Sequence, residues 1–246
     1  SELTETSILY RNLGDAVFKD VTTETGLVDK NWSGAATPLD VNQDGWLDLY
    51  VLNMQGNDAY WENQEGKQFV EKTADVFPRT PWGAMGVQAL DFDNDGAFDI
   101  FVTDMHSDMS EDVGTELEKA KSNMQWAQDF LATQPGESIF GNAFFKSTNG
   151  EFAEISDESG AENYWPWGLS AGDVNADGYD DVFIASIMCF PYRYSANSLL
   201  LNDKGKSWLD AEFAVGIDPR PIGKRMQPWF ELDADELEKE NQLVDG

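Results

Sequence analysis

The sequence predicts an all-β protein assembled from repeats, and three observations carry that prediction. A nine-residue frame, D-x-[DN]-x-D-G-x-x-D, occurs three times, at Asp40–Asp48, Asp91–Asp99 and Asp173–Asp181. Each copy runs directly into a β-branched and aromatic segment: Leu49-Tyr50-Val51, Ile100-Phe101-Val102 and Val182-Phe183-Ile184. Such segments read as strands. Each copy is also flanked by the same series of further segments, which makes the repeat larger than the frame itself.

The repeating unit can be followed in order. A small-residue strand precedes each frame: Ser33–Thr37, Trp82–Val87 and Trp167–Ala171. Two more strands follow, Asn57–Asn63 with Gly66–Glu71, Asn142–Phe145 with Gly150–Glu154, and Asn197–Asn202 with Gly205–Asp210. The first residues, Ser7–Asn12 and Gly14–Asp20, match these last two strands and have no frame before them. The unit is strand, acidic loop, and three further strands, repeating after 51 residues from Asp40 to Asp91. That is the length and strand count of a propeller blade. Gly and Ala in the first strand suit the crowded centre where blades converge.

The expected architecture is therefore a β-propeller of four-stranded antiparallel blades, forming one incomplete domain over residues 1–246. Residues 7–22 supply two outer strands of a closing blade. Blades follow at 33–80, 81–160 and 165–215, and an acidic irregular tail occupies 219–246. Asp91 to Asp173 is 82 residues, and the excess maps to about 106–138. There Ser110-Glu111-Asp112 reads as a helix start, and Leu117, Ala120, Met124, Ala127 and Leu131 share a helical face. A helical insertion is expected, more as decoration than as a lid. Outer strands without inner partners predict a ring completed by the rest of a longer protein, or otherwise by another chain, since open edges invite aggregation.

The frame has a chemical reading. Calcium takes six to eight oxygens at about 2.3–2.6 Å, and carboxylates on alternate residues of a tight loop can converge on it. Glycine at position 6 permits the sharp bend, and position 7 (Trp46, Ala97, Tyr179) varies as a backbone-carbonyl ligand would. An EF-hand would need a bidentate Glu at position 12. Val51, Val102 and Ile184 stand there, so the loop leads into a strand instead of a helix. A plain Asp-Gly turn needs no such register of oxygens, and magnesium prefers fewer protein ligands.

Composition narrows the class further. The chain has 246 residues and a formal charge of -30; three divalent cations would leave about -24. Nucleic acid and anionic membranes are poor partners for such a surface, and no apolar run is long enough to span a membrane as a helix. The single cysteine, Cys189, lies in the apolar stretch Ile187–Phe190 and is expected to be a buried structural thiol. The chain begins at Ser1 without a signal peptide, as a processed or partial product would.

At this point the residues carry a family likeness. The D-x-[DN]-x-D-G-x-x-D-[LIV]-[YF]-[VI] loop and strand, with N-x-x-[YFL] and G-x-F-x-[DE] segments after it, resemble the FG-GAP/VCBS repeats. These are found in integrin α-subunit propellers and in bacterial secreted proteins similar to cartilage acidic protein; Val21-Thr22-Thr23-Glu24-Thr25-Gly26-Leu27 is similar to a segment of the latter. The resemblance covers most of residues 7–215. It implies a calcium-stabilised propeller, usually seven-bladed, that is secreted, extracellular or periplasmic. Carried over residue by residue, it implies about three Ca2+ ions. The first is held by Asp40, Asn42, Asp44, the Trp46 carbonyl and Asp48. Asp91, Asp93, Asp95, the Ala97 carbonyl and Asp99 hold the second. Asp173, Asn175, Asp177, the Tyr179 carbonyl and Asp181 hold the third. The 106–138 insertion and the missing blades depart from the family pattern.

The expected function is a non-catalytic binding or adhesion module with structural calcium. It would take a protein or glycan ligand, for which Trp82, Trp165 and Trp167 are candidates unless they pack at the channel. A propeller enzyme acting on polysaccharide is the alternative, along with a structural subunit of an extracellular assembly. No nucleophile elbow, phosphate loop, zinc or haem motif is present. The lone histidine, His106, sits at the start of the insertion and reads as a surface residue.

Overall fold

The computed structural model describes residues 6–54, 56–105, 138–163, 166–186, 197–212 and 214–217, together with the backbone of three short strand pairs. Strands β1 (Tyr10–Asn12) and β2 (Phe18–Asp20) form an antiparallel hairpin. The first four-stranded sheet follows: β3 (Ser33–Leu39), β4 (Asp48–Asn53), β5 (Ala59–Gln64) and β6 (Gln68–Glu71), paired antiparallel in that order. A two-residue strand, β7 (Thr80–Pro81), leads to β8 (Ala84–Leu90) and β9 (Asp99–Asp104).

Beyond β9, β10 (Ser110–Glu111) pairs antiparallel with β11 (Gln125–Trp126). Helix was expected at these positions. A strand at 125–126 interrupts the face that Leu117 through Leu131 would share, and Trp126 is a residue type that favours strands. The rest of the expected helix, and His106 with it, lies outside the described residues. Then β12 (Ser138–Ile139) pairs parallel with β7. β13 (Ala143–Thr148) and β14 (Glu151–Glu154) complete a second sheet in the order β8-β9-β13-β14.

The third sheet runs β15 (Pro166–Gly172) and β16 (Asp181–Ser186), then past the pair β17 (Met188–Cys189) and β18 (Arg193–Tyr194). It finishes with β19 (Ser198–Asn202) and β20 (Trp208–Asp210). In the tail, where no strand pattern was expected, β21 (Phe230–Glu231) pairs with β22 (Val244–Asp245). The chain is thus mostly β, with three like antiparallel sheets. Among the described residues they do not close a ring, and no helix is long and apolar enough to cross a membrane.

Small side chains explain how the first strands meet. β8 lies between β3 and β15. A Cβ built on Gly86 of β8 would stand 2.7 Å from Leu169 Cδ2 and 3.0 Å from the Trp167 carbonyl oxygen, so a larger residue would push β15 away. In all three sheets the register slips near the start of the first strand, at Ser33/Ala35, Ala84/Gly86 and Pro166/Leu169. Such a bulge adds twist. Pro38 is tolerated because β3 is an edge strand, whose outward N–H positions need no ladder partner.

Apolar residues at alternate strand positions fill the spaces between sheets. Tyr50, Leu52 and Tyr60 from the first sheet meet Ile100, Val102, Ala143 and Phe145 from the second around Phe77. Leu90, Phe92, Phe101 and Phe144 from the second meet Val182, Ile184, Leu200 and Trp208 from the third.

The G-x-F-x-[DE] acids have a structural task. The N-terminal hairpin and the fourth strands of the first and second sheets each end on an acid that accepts the first amide of a one-turn helix. Asp20 accepts from the Thr22 amide, Glu71 from Thr73 and Glu154 from Ser156, each at 2.9 Å. The capped turns are Thr22–Thr25, Thr73–Val76 and Ser156–Ser159. An acceptor here satisfies an amide that the helix leaves without a partner.

Candidate metal centre

The three acidic frames form the turns between the first and second strands of the sheets, and their internal hydrogen bonds repeat. The position-1 carboxylate accepts two loop amides: Asp40 from Asp44 and Gly45, Asp91 from Asp95 and Gly96, and Asp173 from Asp177 and Gly178, at 2.9–3.1 Å. The position-5 carboxylate accepts the amide of position 7, from Trp46, Ala97 and Tyr179, at 2.8–3.0 Å. These bonds require two consecutive bends. Position 4 is left-handed in every loop (Gln43, Asn94 and Ala176, φ 57°, 60° and 61°) and glycine follows at φ 88°, 88° and 92°.

The position-9 acids Asp48, Asp99 and Asp181 are buried and tie each loop to its sheet. One oxygen accepts the position-2 amide, from Val41, Phe92 or Val174, at 2.9–3.1 Å. The other accepts an amide of the third strand, from Asn63, Ser147 or Asn202, at 2.7–2.8 Å. Tyr60 also donates its hydroxyl to Asp48 at 2.7 Å. A carboxylate offers about four lone-pair sites, so these bonds leave acceptor capacity.

Only the second loop carries acids at positions 1, 3 and 5 together. Asp91, Asp93 and Asp95 each present a carboxylate oxygen, and these oxygens lie within 4.8 Å of one another. Asp93 Oδ1 is buried and has no hydrogen-bond partner. A buried, orphaned anionic oxygen is costly unless a cation or donor meets it, and hard oxygen donors in a tight turn suit an oxygen-seeking divalent ion. The residues present therefore fit such an ion. Asn42 and Asn175 take the place of Asp93 in the other loops, and their side-chain amides donate to Asp44 and Asp177 at 3.1 and 3.2 Å.

Several participants carried no signal in the frame. Lys146, on β13, pairs with Asp93 Oδ2. Burial works against its charge, but the hydrogen bond to Asp93 and the fields of Asp99, Asp93 and Asp95 outweigh it and raise its pKa. Position 4 reaches the neighbouring loop: Gln43 Nε2 donates to the Gly96 carbonyl at 3.4 Å, and Asn94 Nδ2 to the Gly178 carbonyl at 2.9 Å. At the opposite ends of the sheets, Asp58, Asn142 and Asn197 accept the amides of Asn53, Asp104 and Ser186 at 2.8–3.0 Å. The N-x-x-[YFL] pattern held part of this signal, since its Asn is the acceptor in two of the three sheets.

Of the candidate tryptophans, Trp82 is buried and its ring is tilted against Phe140 at 6.2 Å, which is a packing role. Trp167 is 40% exposed, and Trp165 lies outside the described residues.

Burial pushes the Asp99 carboxyl up to about 6, against the amides of Ser147 and Phe92 and the ammonium of Lys146, which hold it down. In protein stripped of divalent ions, this group contributes stability that is fully present below about pH 4 and lost as pH rises through about 6. The upper bound is on the order of 3 kcal/mol. Melting curves in chelator between pH 4.5 and 7 should therefore fall more steeply for the parent protein than for Asp99→Asn. Parallel curves would remove Asp99 as the source.

Like antiparallel sheets, each opened by an acidic glycine-bearing turn, define a repeat protein of β-modules. The comparison with family models agrees. The model described as FG-GAP-like repeat matches residues 40–102 and 127–184, which contain all three acidic loops, so over those residues the chain is similar to FG-GAP-like repeats. No curated protein matches the sequence.

Proposed function

We propose that the three loops bind calcium and that the chain is part of a calcium-stabilised β-propeller. It would serve outside the cytoplasm as a non-catalytic module that binds a protein or glycan. The observation that carries this reading is the convergence of Asp91, Asp93 and Asp95 on one small volume with Asp93 Oδ1 left unpartnered. Support comes from the repeated hydrogen-bond register of the other two loops, with Asp40, Asp44, Asp173 and Asp177 in the same places.

In this reading Asp91, Asp93 and Asp95 would hold the ion of the second loop. The matching set is Asp40, Asn42 and Asp44 in the first loop and Asp173, Asn175 and Asp177 in the third. Asp48, Asp99 and Asp181, with the carbonyls of Trp46, Ala97 and Tyr179, complete the proposed sets. The ion neutralises carboxylates that otherwise repel, and binding free energy becomes folding free energy. Position 9 makes that coupling physical, because it joins the loop to the second and third strands.

Calorimetric titration of chelator-stripped protein with Ca2+ tests the proposal. The expected result is saturable binding with up to three ions per chain, and loss of one site in Asp91→Asn/Asp95→Asn. No saturable binding up to several millimolar, the weak end of extracellular calcium modules, would overturn it.

A further inference from the structure

The three loops differ in how their charge is balanced, and the difference lies outside the acidic frame. Position 3 is neutral in the first and third loops (Asn42, Asn175) and anionic in the second (Asp93). The residue on the third strand just before the amide that binds the position-9 acid is Glu62, Lys146 and Leu201 in the three sheets. Only the sheet with the extra carboxylate has a lysine there, and that lysine pairs with the extra carboxylate. The pair is mostly sheltered, with side chains 23% and 27% exposed.

The surroundings hold Asp93 in place. The third sheet's turn packs on it so closely that a Cβ on Gly205 would stand 2.4 Å from Asp93 Cβ and 2.7 Å from its Cα. Asn202 Nδ2 donates to the Phe92 carbonyl at 2.8 Å. Asp93 therefore has little room to swing away from the lysine, and one of its oxygens faces Lys146 while the other is buried without a partner.

We infer that Lys146 is a resident counter-cation of the second loop. It holds Asp93 in the absence of a divalent ion, and it competes with such an ion for that carboxylate. The second loop is consequently the one least dependent on metal for its form and the weakest of the three for metal, despite being the one with acids at all of positions 1, 3, 5 and 9. The competition half of this inference rests on the calcium reading above; the counter-cation half does not.

The test compares Lys146→Met, which keeps length and loses charge, with Lys72→Met, whose lysine pairs with Asp75 away from the loops. In chelator, Lys146→Met should melt several degrees below the parent and Lys72→Met should not. In Ca2+ titrations, one of the sites should tighten about tenfold in Lys146→Met alone. If Lys146→Met does not fold, Asp93→Asn/Lys146→Leu supplies the same readout. It gives the second sheet the third sheet's residues at position 3 and at the third-strand position (Asn175 and Leu201), and should restore the melt in chelator and bind metal as the other loops do.

Equal melts in chelator for Lys146→Met and the parent would overturn the counter-cation role. Unchanged affinity, in protein that does bind Ca2+, would overturn the competition. Absence of Ca2+ binding in every variant, including the parent, would instead strike the calcium reading and leave the chelator melts to decide the role of Lys146.

Discussion

If the loops bind calcium as proposed, removing divalent cations with a chelator should lower the melting temperature by roughly 5–10 °C for each loop that was filled. A ligand present at a hundredfold excess over its Kd stabilises by about 2.7 kcal/mol, and a chain of this size shifts by roughly 2–4 °C per kcal/mol. The shift is large because the loops are not appendages. Asp48, Asp99 and Asp181 each accept one amide from the loop and one from the third strand. An unscreened cluster of carboxylates therefore strains the sheet as well as the turn. In saturating calcium, Asp93→Ala should cost more than Asn42→Ala, since it removes a formal charge from the ligand set. Superimposable melting curves with calcium and with chelator would refute the coupling.

Phe77→Ala should be the most damaging single truncation in the first intersheet core, at about 3–5 kcal/mol. Phe77 is 1% exposed. Its ring meets Tyr50 and Tyr60 of the first sheet edge-on at 5.4 and 5.6 Å. Phe145 and Phe152 of the second sheet lie at 5.1 and 4.9 Å. It follows the one-turn helix Thr73–Val76, so a connector residue plugs the gap between two sheets. Each aromatic pair adds about 0.5–1.5 kcal/mol beyond area, and the truncation loses several together. Urea denaturation measures the cost, with Leu209→Ala (51% exposed) as a reference that should change stability by no more than about 0.5 kcal/mol. A Phe77→Ala cost as small as the Leu209→Ala cost would mean that the two sheets pack independently.

How much of this was legible in the sequence depends on the range of the interaction. The acidic frames were readable because their bonds close within nine residues, and glycine at Gly45, Gly96 and Gly178 answers a local backbone demand. The strands after each frame were readable from their β-branched and aromatic runs. Lys146 was not, because it lies 53 residues from Asp93 and a lysine on a strand has no pattern of its own. Gln43 and Asn94 looked like fillers at a variable position, yet each acts on the next loop, 53 and 84 residues away. The acids of the G-x-F-x-[DE] segments were visible as a pattern but not as helix caps, since the one-turn helices are too short for a periodic signal. A helix start was read at Ser110–Asp112 and a helical spacing of apolar residues from Leu117 to Leu131, where the backbone at 110–111 and 125–126 forms a strand pair.

The links from Gln43 to Gly96 and from Asn94 to Gly178 also bear on how such a chain tolerates copying errors. A repeat array is often treated as a string of interchangeable cassettes in which a length change in one unit stays in that unit. Here the side chain that reaches across comes from position 4 and the carbonyl it finds belongs to position 6 of the following loop. One residue inserted in the second frame would displace the acceptor that Gln43 uses and the donor that Asn94 offers, so the lesion would be felt in three sheets. The constant length of the acidic frame is thus held by its neighbours as well as by its own chemistry.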